Sequence, residues 1–178
     1  LRPGTYEALA RHLEQVQEQQ GSGYYHVIHF DVHGGLLTYA AFDTLVQKRA
    51  DELVGHHTFQ MQRYGRPAMA EYKGVKAFLF LEHPQAATPD PVEATELANL
   101  LQVHGIPIAV LNACQSAKQL GAEQETSLGS QLMAAGVQMV LAMGYSVTVS
   151  AARLLMQEFY AELFRGASLG AALRSARL

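Results

Sequence analysis

The chain has 178 residues, which predicts one domain at a typical domain size of about 150 residues. Its hydrophobic content of 49% and charged content of 16% exclude a disordered chain, a collagen and a highly charged coil. The 13 basic and 16 acidic residues give a net charge of −3. This balance offers no basic field for nucleic acid and no polybasic patch for a membrane surface.

The cysteine content and the first residues bear on the cellular compartment. Cys114 is the only cysteine, so an internal disulfide is excluded and a reducing compartment is favoured. Residues 1–4 lack the charged start and apolar run of a signal peptide, and the apolar stretch 132–143 is shorter than the roughly 20 residues of a membrane span. We therefore expect a cytoplasmic protein with no membrane partner. The missing initial Met suggests a fragment of a larger chain or a processed one.

The first elements in chain order are a helix and a strand. Thr5 has the chemistry of an N-cap, Gly21 marks a helix end, and apolar residues repeat between them at helical spacing. Residues 24–30 are rich in aromatic and β-branched side chains, which predicts a strand. Residues 31–35 contain two glycines and are predicted to be the loop that ends it.

The middle of the chain is less regular. A weak pattern favours a helix over 41–53, and Gly74 suggests a tight turn between strands at 69–72 and 76–81. Pro91 is expected in the first turn of a helix. The apolar face of that helix is formed by Ala94, Leu97, Leu100 and Leu101.

The second half alternates strands and helices. Residues 107–111 and 137–142 are almost wholly apolar, as expected for strands covered on both faces, and a helix over 127–135 lies between them. A long helix follows the loop 143–146, and Ser168 is the predicted N-cap of a last helix. This alternation predicts an α/β fold with a mainly parallel sheet and helices on both faces.

Reactive side chains follow two of the predicted parallel strands. His33 comes after the strand 24–30 and Cys114 after the strand 107–111. In open parallel sheets, ligands bind in the crevice outside the carboxyl ends of the strands. If the two strands are neighbours, His33 and Cys114 face one cleft although 114 − 33 = 81 positions separate them.

A thiol beside an imidazole is a usable nucleophile. A free cysteine, with a pKa of about 8.5, is only a few per cent thiolate at neutral pH. An adjacent His raises the reactive fraction or protonates a leaving amine, which is typically worth about 10²–10⁴-fold in rate. If His33 and Cys114 share a cleft, the main-chain N–H groups of Gly34 and Cys114 are candidates for an oxyanion hole.

Each of these residues also has a simpler interpretation. A lone Cys after a buried strand is commonly an inert small hydrophobe, and a His before two glycines is commonly part of a turn. The chain order favours one class of cysteine enzyme if the pair is catalytic. Papain-like enzymes place the nucleophile before the His, whereas caspase-type enzymes place a His-Gly before the Cys, as here.

Three blocks of this sequence resemble the CHAT domains, which are caspase-like peptidases often found with tetratricopeptide repeats. Residues 29–34 (HFDVHG) resemble the H-F-x-x-H-G block of the family, and residues 110–116 (VLNACQS) match its V-L-N-A-C-Q-S block. Residues 159–169 resemble its closing F-Y-x-x-L and G-x-S-L run. The similarity covers most of the chain, from about Pro3 to the end.

The resemblance implies a fold and an activity. The fold is a caspase-like three-layer α/β/α sandwich with a mainly parallel sheet, formed by residues 1–178 as a single CHAT domain. The activity is that of a cysteine endopeptidase without cofactors, with His33 and Cys114 as its dyad. The family also implies a protein or peptide substrate, cytoplasmic prokaryotic regulation, and a regulatory repeat domain or partner of the tetratricopeptide kind.

The sequence departs from the family pattern in three places. Val32 replaces the small residue common before the His, and its branched side chain is expected to narrow the cleft or alter the His33 rotamer. Residues 143–147 lack the Trp-Pro and the following acid of many relatives, so substrate specificity is not transferable. The chain begins with a helix where a caspase-like sheet usually has an earlier strand, so part of the domain is expected upstream.

Four further residues are candidates for binding substrate. Asp31 either places a negative charge in the first substrate pocket, favouring Arg or Lys, or forms a turn at the strand end. Asn112 stands where the distantly similar metacaspases carry an Asp that binds basic substrates. The neutral Asn weakens the expected preference for Arg or Lys. Alternatively, Asn112 forms hydrogen bonds with the backbone around the Cys114 turn. Tyr145 and Ser146 belong to a loop expected to form a wall of the site, unless Tyr145 packs on the sheet.

Metal binding is not expected, because His56, His57 and His83 have no partner at a convincing ligand spacing. Two other functions stay open. In the first, the chain is a signalling or scaffold module that binds protein partners, and its dyad is present but unproductive. The departures at Val32 and in the loop 143–147 suggest this alternative. Alternatively, the same thiol serves a small-molecule hydrolase or transferase.

Overall fold

The structure, a computed structural model, describes residues 1–53, 66, 69–112, 128–142 and 148–177. The chain divides into two compact units, residues 1–144 and 145–178. The helices of the described residues are α1 (Tyr6–Gln20), α2 (Tyr39–Leu53), α3 (Ala94–Val103), α4 (Leu128–Ala134), α5 (Val149–Phe164) and α6 (Leu169–Ala176). The strands are β1 (Val27–Phe30), β2 (His33–Leu37), β3 (Lys76–Leu81), β4 (Asp90–Glu93), β5 (Ile108–Leu111) and β6 (Met139–Ala142).

A parallel sheet with the strand order β1-β5-β6 occupies the first unit. The register pairs Val27 with Ile108 and Phe30 with Leu111, and β6 continues the sheet beyond β5. The central strand β5 is almost entirely buried, which explains its uninterrupted apolar sequence. Long-range pairing therefore brings the end of β1 beside the end of β5, which meets the condition set for the two strands in the sequence analysis.

A second, antiparallel sheet has the strand order β2-β3-β4. The prediction of a loop over 31–35 is wrong in part, because β2 begins at His33 and runs through both glycines. The predicted strand at 69–72 is also wrong, since β3 pairs with β2 and β4 instead. Tyr72 contacts β2 through its hydroxyl, which donates a hydrogen bond of 2.9 Å to the Leu37 carbonyl.

Pro91 lies in a strand and not in the first turn of a helix, so this prediction is wrong. It sits in β4 opposite Phe80, and β4 is an outer strand of its sheet among the described residues. A proline is tolerated on an outer strand because its missing N–H need not join the ladder. The helix α3 begins at Ala94, where Glu93 and Glu96 form a capping box.

The core of the first unit joins α1, the two sheets and α3. Leu9 and Leu13 of α1 are buried, as their helical spacing predicts, and the Thr5 hydroxyl caps the helix by accepting from Ala8 N–H. From α3, Leu97 and Leu101 are fully buried. Burial of a Leu side chain contributes about 1.5–3 kcal/mol, so this cluster holds the strands that carry the candidate site.

The second unit is a helix pair in which α5 and α6 pack together. Thr148 caps α5 and Ser168 caps α6, each through a side-chain oxygen that accepts a main-chain N–H, which confirms the predicted cap of the last helix. The buried stripe of α5 is formed by Ala152, Met156 and Phe159. Leu155 of the same helix is half-buried.

The fold is a mixed α/β fold, compatible with a caspase-like α/β/α arrangement, and the fold class predicted from the sequence is confirmed. The antiparallel sheet that follows His33 was not expected. In the described segments, no helix is long and apolar enough to cross a membrane.

Gly105 lies where the turn before β5 packs closely against the turn before β1. It has a φ of 68°, and a Cβ placed there would lie 2.9 Å from the Gly23 main-chain nitrogen. That nitrogen donates to the His104 carbonyl at 3.0 Å, so the contact cannot open freely. We expect Gly105→Ala to lower the free energy of unfolding by about 2–4 kcal/mol, the combined cost of positive φ and of overpacking.

Gly74 provides the matched control for this prediction. Its φ is 78°, but nothing lies within 4 Å of a Cβ built on it. Gly74→Ala is therefore expected to cost only about 1–2 kcal/mol, from the backbone conformation alone. Urea unfolding followed by circular dichroism compares the two variants, and equal losses would contradict the close contact at Gly105.

Candidate functional site

The ends of β1 and β5 are joined by two hydrogen bonds. The main-chain N–H of Asn112 donates to the Phe30 carbonyl at 2.8 Å, which continues the parallel ladder by one residue. The Asn112 side chain then donates through Nδ2 to Asp31 Oδ1 at 2.9 Å. The residues that follow the two strands are therefore tied to each other, and not only the strands themselves.

His33 begins β2, and it is exposed. It lies opposite Phe80 of β3, so its backbone is held by a strand ladder and not by a free turn. The next residue, Gly34, lies opposite Leu79. Gly35 leaves room for Phe80, because a Cβ there would be 3.2 Å from the Phe80 ring. The sequence His-Gly-Gly thus serves close packing of a strand beside an aromatic ring.

A cleft of about 670 Å³ opens beside β1 in the first unit. Asp31, Val32 and His33 line it, together with the end of β3. Its other wall comes from the start of the chain and from α1. The volume lies within the range of about 300–1,000 Å³ typical of ligand pockets. Val32, which was expected to narrow the cleft, lines it and also packs partly against the core.

The ionisable side chains around this cleft differ in whether they have a charged partner. Glu82 pairs with Arg2 at 3.1 Å and accepts the Gly4 main-chain N–H at 2.8 Å. Partial burial lowers the pKa of His29, although the negative charge of Asp31 opposes the shift. His29 is therefore mostly neutral at pH 7, since even an unshifted imidazole has a pKa of about 6.5.

The comparison with family models decides the family. The model of the CHAT domain matches residues 3–178, which is nearly the whole chain. The chain belongs to the CHAT domain family. The family is caspase-like, so this CHAT domain is a caspase-like, peptidase-related module. No curated protein and no solved structure matches the chain.

The structure brings together part of the predicted site of this CHAT domain. Asp31 directly follows β1 and is hydrogen-bonded to Asn112, which directly follows β5, while His33 lies two residues after Asp31 at the start of β2. Gly34, predicted for the oxyanion hole, is half-buried in β2. Three predicted site residues lie outside the described residues: Cys114, Tyr145 and Ser146.

Two contributions to the CHAT cleft were missed in the sequence. Glu82 follows β3 directly, and its position after an apolar strand was a usable signal. His12 and Tyr25 also line the cleft, with His12 Nε2 3.0 Å from the Tyr25 hydroxyl. Their contact joins α1 to the residues before β1, which local sequence patterns do not indicate.

Within the described ranges, no group of three or more His, Cys, Asp or Glu side chains is arranged to hold a metal ion. Residues 56 and 57, two of the three His considered in the sequence, lie outside those ranges.

Proposed function

We propose that this CHAT domain is a cysteine endopeptidase that cuts a protein substrate through His33 and Cys114. The observation that carries the proposal is the pairing of β1 with β5, in which Phe30 lies opposite Leu111. His33 follows Phe30 by three residues, and Cys114 follows Leu111 by three. Membership of a caspase-like family supports the same assignment.

Strand geometry supports an encounter of the two side chains. Neighbouring strands lie about 4.8 Å apart, and three residues of extended chain span at most about 10 Å. The Asn112–Asp31 hydrogen bond of 2.9 Å shows that the two chains are still together one residue beyond the ladder. The cleft opens beside His33, at the end of the strand pair that both residues follow in the sequence.

The proposed reaction proceeds through an acyl-enzyme. The Cys114 sulfur, as thiolate, attacks the peptide carbonyl carbon, and the oxygen becomes an oxyanion. The main-chain N–H groups of Gly34 and Cys114 stabilise it, and one such donor is typically worth about 3 kcal/mol. Protonated His33 gives its proton to the leaving amine as the C–N bond breaks. Water then attacks the thioester carbonyl, which releases the acid and restores the thiol.

Substrate binding and control complete the proposal. Tyr145 and Ser146 are assigned to substrate binding, and the substrate is an extended polypeptide in the cytoplasm. A tetratricopeptide-like regulatory domain or partner restrains the activity, because an unrestrained cytosolic protease would damage the cell. No cofactor takes part, since a thiol and an imidazole supply all the proton transfers required.

A peptide-library cleavage screen tests the proposed function. The chain is incubated with a library of degenerate peptides, and new termini are identified by mass spectrometry. We expect defined cleavage sites with the wild-type chain and none with Cys114→Ala. Cleavage that persists in Cys114→Ala would contradict the proposal, because it would come from another nucleophile or a contaminant.

The scaffold function is the second outcome of the same screen. If neither chain cuts any peptide, and Cys114 shows no enhanced reactivity, the domain is an unproductive caspase-like module that binds partners. The departures at Val32 and at residues 143–147 are the observations that favour this outcome. Cleavage by the wild type alone excludes it.

A further inference from the structure

Asp31 is an exposed carboxylate held in one orientation at the candidate site. It follows β1 directly, lines the cleft and lies two residues before His33. Its Oδ1 accepts a hydrogen bond of 2.9 Å from Asn112 Nδ2, and within the described ranges it makes no other hydrogen bond and no ion pair. A carboxylate accepts up to about four hydrogen bonds, so most of its capacity faces solvent in the cleft.

The other charges of the cleft do not neutralise Asp31. Arg2 is paired with Glu82 on another part of the wall. Asp31 acts electrostatically on His29, whose pKa is lowered by partial burial in spite of that negative charge. Within the described lining, no Arg or Lys side chain pairs with Asp31, so its carboxylate is available to a basic ligand.

We propose that Asp31, oriented by Asn112, binds the Arg or Lys side chain of a polypeptide that enters the cleft. This inference rests on the proposed function for the cleavage that follows, in which the bond cut is the one after the basic residue. Two residues of extended chain separate Asp31 from His33 by about 7 Å at most, which a long basic side chain bridges. Carboxylate and guanidinium match in geometry and form charge-assisted hydrogen bonds.

Asn112 acts in this proposal as a positioning residue. At this position an Asp would supply the charge itself, and Asn was expected to weaken a basic preference. The structure instead places the Asn112 amide against the neighbouring carboxylate at 2.9 Å. Asp31, directly after β1, supplies the negative charge. The Asn112 amide, directly after β5, orients that carboxylate and adds no charge of its own.

Binding to a catalytically inactive chain tests this inference. In a Cys114→Ala background, two pools of N-acetylated peptides with degenerate flanks carry either Arg or its neutral isostere citrulline at a fixed central position. We expect the Arg pool to bind about 10–100-fold more tightly, as hydrogen bonds to a charged group are worth about 1.5–3 kcal/mol. Acetylation removes the terminal amine as a second source of positive charge.

The substitution Asp31→Asn removes the charge but keeps the shape and the contact with Asn112. We expect it to reduce the preference for Arg over citrulline to about 3-fold or less, with little change for citrulline. Asp51→Asn, an exposed position of α2, changes the net charge equally and should leave the preference intact. Equal binding of both pools, or an equal loss for both pools in Asp31→Asn, would overturn the inference.

Parallel cleavage by the active chain separates the two proposals. An Arg preference that depends on Asp31, without cleavage of any peptide, supports the binding role and contradicts the peptidase. Cleavage with no difference between Arg and citrulline supports the peptidase and contradicts the role of Asp31. Cleavage after Arg that falls about 10-fold or more in Asp31→Asn supports both.

Discussion

Replacing His33 by Ala is expected to lower kcat/KM for the best library peptide by about 10²–10⁴-fold, the usual contribution of a general acid. Cys114→Ala is expected to lower it by at least about 10⁴-fold, because no acyl-enzyme can form without the sulfur. The two losses differ because the thiol retains some intrinsic nucleophilicity when the imidazole is removed. Initial rates of peptide cleavage, measured by fluorescence or mass spectrometry, give both values.

His26→Ala is the matched control for this pair of variants. His26 is exposed, precedes β1 and is not part of the cleft lining. Its loss should change kcat/KM by less than about 2-fold, in line with a surface substitution. Circular dichroism confirms that each variant is folded. If His33→Ala cleaves at the rate of His26→Ala, the imidazole has no part in the reaction.

The second large effect concerns a buried ion network around Arg66. Its guanidinium bonds Asp90 at 2.6 Å and Glu96 at 2.8 Å, and Asp90 also pairs with Arg49 at 2.8 Å. The side chain of Arg66 is 4% exposed, and the guanidinium lies 4.7 Å from the centre of the Tyr6 ring. Burial lowers the pKa of Arg66, but bonds to Glu96 and the charge of Asp90 raise it more, so it stays charged.

We expect Arg66→Gln to lower the free energy of unfolding by about 3–5 kcal/mol, because it removes the cation that pairs with both Asp90 and Glu96 from a largely buried site. The network braces β4 and α3, and β4 supports the sheet that begins with His33. Loss of the network should therefore also destabilise the strand that carries His33, and the rate of peptide cleavage should fall in proportion to the folded fraction. Equilibrium urea unfolding, followed by far-ultraviolet circular dichroism, measures the loss.

Arg2→Gln is the control for burial. The Arg2–Glu82 pair has a similar length of 3.1 Å, but its side chains are 89% and 52% exposed. Exposed pairs contribute about 0–1 kcal/mol, so this variant should unfold almost as the wild type does. Losses below about 1 kcal/mol in both variants would contradict a stabilising role of the network.

Local patterns were sufficient for the elements that carry the site. The aromatic and β-branched run before residue 31 and the apolar run before Asn112 predicted β1 and β5, and the alternation with helices predicted a mainly parallel sheet, while the adjacency of the two strands was left as a condition that the structure meets. Helix caps were also predictable, since Thr5 and Ser168 act through short-range contacts. These features depend on residues within a few positions of each other.

Other features depend on contacts that a local pattern does not contain. Gly34 was interpreted as a turn residue, yet β2 includes it because β3 supplies the partner strand. Pro91 was interpreted as a helix start, yet an outer strand tolerates it. The orientation of Asp31 depends on Asn112, which lies far along the chain. Such pairings become visible only once the topology is known.

The most direct test of the central claim is the alkylation rate of Cys114, the only thiol of the chain. Iodoacetamide labelling, measured by intact mass between about pH 5 and 9, reports how readily the Cys114 thiolate forms and reacts. We predict that the folded chain is labelled faster at neutral pH than the urea-unfolded chain, and that His33→Ala removes the enhancement. Equally slow labelling of the wild type and His33→Ala would contradict a His33–Cys114 dyad.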